Sequence, residues 1–157
     1  MRAWRVSNFA DLSGTGGRLV AGRWHERGRP VVYLAEHPAL ALLETIVHLE
    51  VDPQDLPKGY RLLTIDVADD VAIREFHATE LDQRAPGWRR DHTITRDLAR
   101  PWFKKGATAL LKVPSVLVPH ATNFVLNPLH EDAAKMTIIS DEMLEFDERL
   151  LLARRSS

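Results

Sequence analysis

Arg23, Tyr33 and Glu44 are the residues whose types suit chemistry, because GRWHERGRPVVYLAEHPALALLE, from Gly22 to Glu44, sets them at the ends of three short successive elements. An Arg offers a planar cation for a pyrophosphate, a Tyr a face for a flat ring, and a Glu a negative charge opposite a developing positive one. Singly, each has a plainer reading. A Glu at the edge of an amphipathic helix is most often solvated, an Arg beside a Trp is often a surface pair, and a strand Tyr is usually half-buried packing. The combination is what points to a site.

The elements that must position them can be read in order. Pro30 to Ala35 is a β-branched and aromatic run after the turn signal Gly28-Arg29-Pro30, which predicts a strand carrying Tyr33. Pro38 suits the first turn of a helix, where its missing N–H costs nothing, and that helix is expected to reach about Glu50. At the helical period Ala39, Leu40, Leu42, Leu43, Ile46 and Val47 share one broad apolar face, with Ala41, Glu44, Thr45 and His48 at its border or behind it. A border carboxylate can line a cleft with its stem packed and its head free. His48 sits one turn further along the same side.

Elsewhere, Ala3 to Val6, Tyr60 to Val67, Val71 to Phe76, Thr108 to Val113, Ser115 to Val118, Met136 to Ile139 and Leu150 to Leu152 read as strands. Ser13 to Gly17 reads as a loop or lid: it lacks the Gly-Lys-Ser/Thr ending of a P-loop, and no helical pattern follows it. Asp52 to Gly59, with two prolines, reads as a turn, and Gln83 to Gly87 as a break before a helix from Thr93 to Lys105. Gly106 is expected to stop that helix and Pro101 to kink or divide it. With no regular βαβ alternation, repeat or low-complexity tract, the pattern favours an α+β fold, one domain over residues 1–157, with mixed or antiparallel sheets around a few helices.

Composition narrows the function. The 45% hydrophobic and 27% charged residues are ordinary for a globular chain, and 21 basic against 22 acidic side chains leave no global field for nucleic acid or anionic membrane. The absence of cysteine removes disulfides and thiolate chemistry. The N-terminus lacks an apolar signal core and no run approaches the ~18 apolar residues of a membrane span, so a cytoplasmic protein is the simplest reading.

A second segment, VPSVLVPHATNFVLNPLH from Val113 to His130, carries Ser115, Asn123 and the turn signal Asn127-Pro128. Ser115 lacks a nucleophile-elbow context, which argues against a hydrolase serine. The seven histidines His25, His37, His48, His77, His92, His120 and His130 show no compact ligand spacing, so no metal is expected. The pairs Arg89-Arg90 and Arg154-Arg155 read as solvated ends.

Gly22-Arg23-Trp24, Val32-Tyr33-Leu34-Ala35-Glu36, Ala41-Leu42-Leu43-Glu44, Val113-Pro114-Ser115 and Asn123 through Asn127-Pro128 occur in an order and with gaps that resemble the RES-domain family, the toxin half of RES–Xre toxin–antitoxin pairs. The resemblance covers most of the chain. One departure is His25, where many relatives carry Asn. The resemblance implies a fold similar to ADP-ribosyltransferase toxins, an activity that consumes NAD as substrate, an Xre-like antitoxin partner, and a catalytic set of Arg23, Tyr33, Glu44 and Ser115.

On that footing Glu44 stabilises the positive charge that builds on the ribose as the nicotinamide bond breaks. Arg23, with Arg5 assisting, holds the pyrophosphate, Tyr33 offers its ring to nicotinamide or ribose, and Ser115 and Asn123 orient the substrate, with His25 also near the nucleotide. The acceptor of ADP-ribose is left open between water, phosphate and a target protein. The alternative is a non-catalytic module that binds a nucleotide or an antitoxin. Direct nucleic-acid binding is not expected.

Overall fold

Period-two alternation along the strands sends successive side chains into different cores. In the computed structural model, which describes residues 1–49 and 57–152, the elements are β1 (Arg2–Ser7), α1 (Thr15–Leu19), β2 (Val32–Ala35), α2 (Pro38–His48), β3 (Arg61–Val67), β4 (Ile73–Glu75), α3 (Ala78–Arg84), α4 (His92–Lys105), β5 (Leu110–Pro114), β6 (Thr122–Leu126), β7 (Met136–Met143) and α5 (Arg149–Leu152). The strands join in one mixed sheet of order β4-β5-β6-β2-β1-β3-β7. The β4–β5 pair is parallel, and the other neighbours are antiparallel. The architecture is α+β, as the sequence pattern implies.

Val32 and Leu34 of β2, Leu110 of β5, and Phe124 and Leu126 of β6 join one core with Ala3, Leu63 and Ile65. The residues between them face the other way. Leu111, Val113 and Val125 pack under α3 and α4 with Trp24, Trp88 and Trp102, while Ala35 and Val6 pack under α2 with Leu40, Ala41 and Ile46. The middle strands are thus buried on both faces, which gives them their near-continuous apolar sequence. Burial of each large side chain there stabilises the fold by about 1.5–3 kcal/mol.

Several elements differ from the sequence reading. Ser13 to Gly17 is not an open lid: a short helix starts at Thr15, and Gly17 is buried so tightly that a Cβ would lie 2.8 Å from Val31 N. Ser115 to Val118 is a bend rather than a strand, because the Ser115 hydroxyl accepts hydrogen bonds from Leu117 N (3.1 Å) and Val118 N (3.2 Å) and folds the backbone around itself. Leu150 to Leu152 belongs to helix α5, opened by Asp147, whose carboxylate accepts from Arg149 N at 2.9 Å.

Pro101 does not divide α4, which runs on to Gly106 because Thr95, Ala99, Trp102 and Phe103 bury one face on both sides of the proline. In α2, Ala41 is buried, whereas Leu43 and Val47 are 38% and 42% exposed. The apolar face is broader than the strip that meets β1, and the sheet selects only part of it. Strand β6 and helices α1 and α3 were not foreseen. The helix end at Glu50, most of the Asp52 to Gly59 turn, and Arg154-Arg155 fall outside the described residues.

Candidate active site

Strand β2 and its neighbour β6 place Tyr33 and Asn123 on the sheet face that α2 partly covers, with Ala35 paired to Asn123. Glu44, at the end of the second turn of α2, reaches the same place from above. Its Oε1 accepts a hydrogen bond from Ser115 Oγ at 3.0 Å and another from Asn123 Nδ2 at 2.6 Å. Among the described residues Oε2 accepts none, so one carboxylate oxygen is fixed and the other is left for the cleft. Beside Glu44, Thr45 Oγ1 donates to Ala41 O at 2.8 Å within α2 and lies 3.3 Å from Val6 O of β1.

The cleft has a volume of about 670 Å³ and is bordered by Arg5, Arg23, Tyr33, Glu44, His48, His92 and Asn123, among others. That is the size range of small-molecule sites, roughly 300–1,000 Å³. Glu44 is the carboxylate among the described residues lining it, and Arg5 and Arg23 are the guanidinium cations there. Arg23 is half-buried, and burial pushes its pKa down while Glu44 and Tyr33 pull it up. Its Nη1 donates to the carbonyls of Trp88 (3.2 Å) and Arg89 (3.0 Å). The backbone on either side of Arg23 is held by α4: Arg96 Nε donates to Gly22 O at 2.9 Å, and Thr95 Oγ1 donates to Arg23 O.

The Tyr33 hydroxyl is buried rather than presented to the cleft. It accepts from Trp24 N at 3.1 Å and lies 2.8 Å from His25 Nδ1. Burial pushes the phenol pKa well above its ordinary value, so the hydroxyl keeps its proton, and Tyr33 is among the residues that line the cleft. His25 Nε2 lies 3.1 Å from both Gly17 O and Val20 O, which only accept, so this nitrogen carries the hydrogen. Nδ1 is then the acceptor for Tyr33 and for Gly22 N (3.2 Å). Gly22 cannot be replaced without rearrangement, since a Cβ there would sit 2.5 Å from the Tyr33 hydroxyl and 2.8 Å from the His25 ring.

His25 is therefore a buried tie between the α1 segment and Tyr33, and desolvation, the largest cause, pushes its pKa down. The unfolded chain binds a proton there near the ordinary value of ~6.5, whereas the folded chain does so only at lower pH. Stability is then lost as pH falls below that value and levels off once the folded imidazole also protonates. The denaturant midpoint is expected to drop more between about pH 7 and about pH 5 in the wild type than in His25→Asn. An equal drop in both would show that another group carries the effect.

Arg23, Tyr33, Glu44, Ser115 and Asn123 come together. Ser115 and Asn123 hold Glu44 instead of pointing at an open space. Arg5 borders the cleft, but its Nη1 donates to Asp11 O at 2.6 Å. The sequence reading missed the supports Trp88, Arg89, Thr95 and Arg96, and also His92 at the cleft edge, whose pKa is lowered by desolvation first and then by Arg23, Arg96 and His48. No local pattern announces them, since they lie 65–74 residues from the loop they hold.

The molecule is thus an α+β fold whose cleft, of small-molecule size, holds a fixed carboxylate and a braced arginine. Residues 2–147 match the family described as RES domain. The chain belongs to that family, and within it to the toxins. It is 45% identical over 138 residues to Toxin Res of Pseudomonas putida, covering 88% of this chain and 92% of that protein. It is 36% identical over 156 residues to the Prs ADP-ribosylating toxin of a Sphingobium species, covering 94% and 95%. A chain in the crystal structure of the M. tuberculosis MbcT–MbcA toxin–antitoxin complex shares the fold, with a TM-score of 0.74 over 99% of this chain and 89% of that one at 17% identity. Among the described residues no helix is long and apolar enough to cross a membrane.

Proposed function

We propose that this RES toxin cleaves the bond between nicotinamide and ribose in NAD, with Glu44 stabilising the charge that forms on the sugar. The observation that carries the reading is the geometry of Glu44: Ser115 and Asn123 hold one oxygen in place, and the other is left toward a cleft that also contains Arg23. A carboxylate held in this way before the reaction does not have to reorganise as charge develops, which is where electrostatic catalysis gains most. The name of the Sphingobium relative, an ADP-ribosylating toxin, supports NAD as the substrate.

In this reading Arg23 binds the diphosphate with the donors that Trp88 and Arg89 leave unused, and Arg5 adds positive potential at the same border. Tyr33 supplies an apolar ring for nicotinamide or ribose, held by His25 and Trp24. Ser115 and Asn123 act through Glu44 as positioning residues, so of the set Arg23, Tyr33, Glu44 and Ser115 the first three meet the substrate directly. The acceptor is a protein side chain, phosphate or water. An antitoxin restrains the enzyme, a reading supported by the toxin–antitoxin complex in which the structural neighbour was solved, and the family resemblance makes that partner Xre-like.

Free nicotinamide is expected when the purified, antitoxin-free chain is incubated with NAD, read by mass spectrometry with and without phosphate and cell lysate. A modified lysate protein would identify a transferase. No nicotinamide under any of these conditions from folded protein would sink the reading in favour of a binding module.

A further inference from the structure

The α3–α4 connection presents two backbone carbonyls to Arg23, and a side-chain cluster outside the cleft fixes them. Asp82 of α3 accepts a hydrogen bond from Trp88 Nε1 at 2.9 Å. The same carboxylate takes the Arg89 fork, with Nη2 donating to Oδ2 at 3.2 Å and Nη1 paired to Oδ1. The Arg89 guanidinium carbon lies 4.4 Å over the centre of the Trp88 ring. Trp88 is 1% exposed and packs on Trp24, the residue after Arg23, at 6.4 Å between ring centres.

We infer that Asp82 is a positioning residue for Arg23, acting through the Trp88 and Arg89 carbonyls that Arg23 Nη1 donates to. The inference rests on the substrate role proposed above for Arg23. An isolated exposed ion pair contributes little, but Asp82 makes a two-toothed pair, a bond to a buried indole and a stacked arrangement that act on one short loop. With Nη1 taken by those carbonyls, Nε and Nη2 make no hydrogen bond among the described residues, so the loop sets the direction in which the free edge of the guanidinium faces. Side chains at positions 82 and 89 are half exposed and touch neither Glu44 nor Tyr33 in any hydrogen bond described, which separates this device from the charge-stabilising part of the site.

The test replaces each end of the clamp while keeping the carbonyls. Asp82→Asn and Arg89→Met are each expected to raise the KM for NAD and the Kd for inorganic pyrophosphate about 3- to 30-fold, the range for changes that act through intervening residues, with kcat nearly unchanged. The double variant should be no worse than the worse single one, since both break the same link. Nitrogen-15 relaxation of the Arg23 Nε–H should show an ordered guanidinium in the wild type and a mobile one in either variant. An Arg23 that stays equally ordered, or a kcat that falls with KM unchanged, overturns the inference. If the wild type releases no nicotinamide, the NAD reading fails by itself, while the relaxation measurement still decides whether Asp82 positions Arg23.

Discussion

Replacing Glu44 by Gln is expected to lower the turnover of NAD about 10²- to 10³-fold, the usual cost of removing one preorganised electrostatic group. The substitution keeps the size of the side chain and an oxygen able to accept from Ser115 and Asn123, so α2 and its packing on β1 should be unaffected. What disappears is the charge that meets the sugar as nicotinamide departs. The loss should therefore fall on kcat much more than on KM. Nicotinamide release followed at saturating NAD, with thermal unfolding of the same sample as a control on folding, would measure it. Wild-type turnover in a folded Glu44→Gln chain would make Glu44 a flank residue and end its catalytic assignment.

Arg23→Lys should produce the second largest effect, in binding rather than in chemistry. Arginine can donate Nη1 to the Trp88 and Arg89 carbonyls and still present two further nitrogens in one plane, whereas a lysine ammonium is a point charge without that fork. Charge-assisted hydrogen bonds contribute about 1.5–3 kcal/mol each, so the affinity for NAD should fall roughly 10- to 100-fold. Calorimetry in the Glu44→Gln background would read the Kd without turnover. An unchanged Kd would show that the diphosphate is held elsewhere and would move attention to Arg5 and His92.

Much of the fold was legible in local pattern because helix and strand periods are short-range properties. Helix α2 starts at Pro38, α4 ends at Gly106, and β1, β2 and β3 lie on the runs that read as strands. Patterns failed where one polar group redirected the backbone, as the Ser115 hydroxyl does in its bend and Asp147 at the start of α5. They also failed at β6, where the polar Thr122-Asn123 start and the Asn127-Pro128 turn leave an apolar run of only Phe124, Val125 and Leu126.

The sequence by itself determined which residue types were available and their order, and the motifs around Arg23, Tyr33, Glu44 and Ser115 were enough to point to the RES family. Tertiary structure alone decided what each of them touches. Ser115 and Asn123 lie 71 and 79 residues from Glu44, and only the antiparallel pairing of β2 with β6 brings Asn123 beneath the carboxylate. Likewise, Tyr33 turns its hydroxyl into the protein because His25 and Trp24 N are waiting there, and Arg23 is aimed by carbonyls from a connection that reads in sequence as a solvated basic pair. Local propensity acts over a few residues, whereas hydrogen-bond partners are chosen among whatever the folded sheet brings within about 3 Å, and that choice has no signature along the chain.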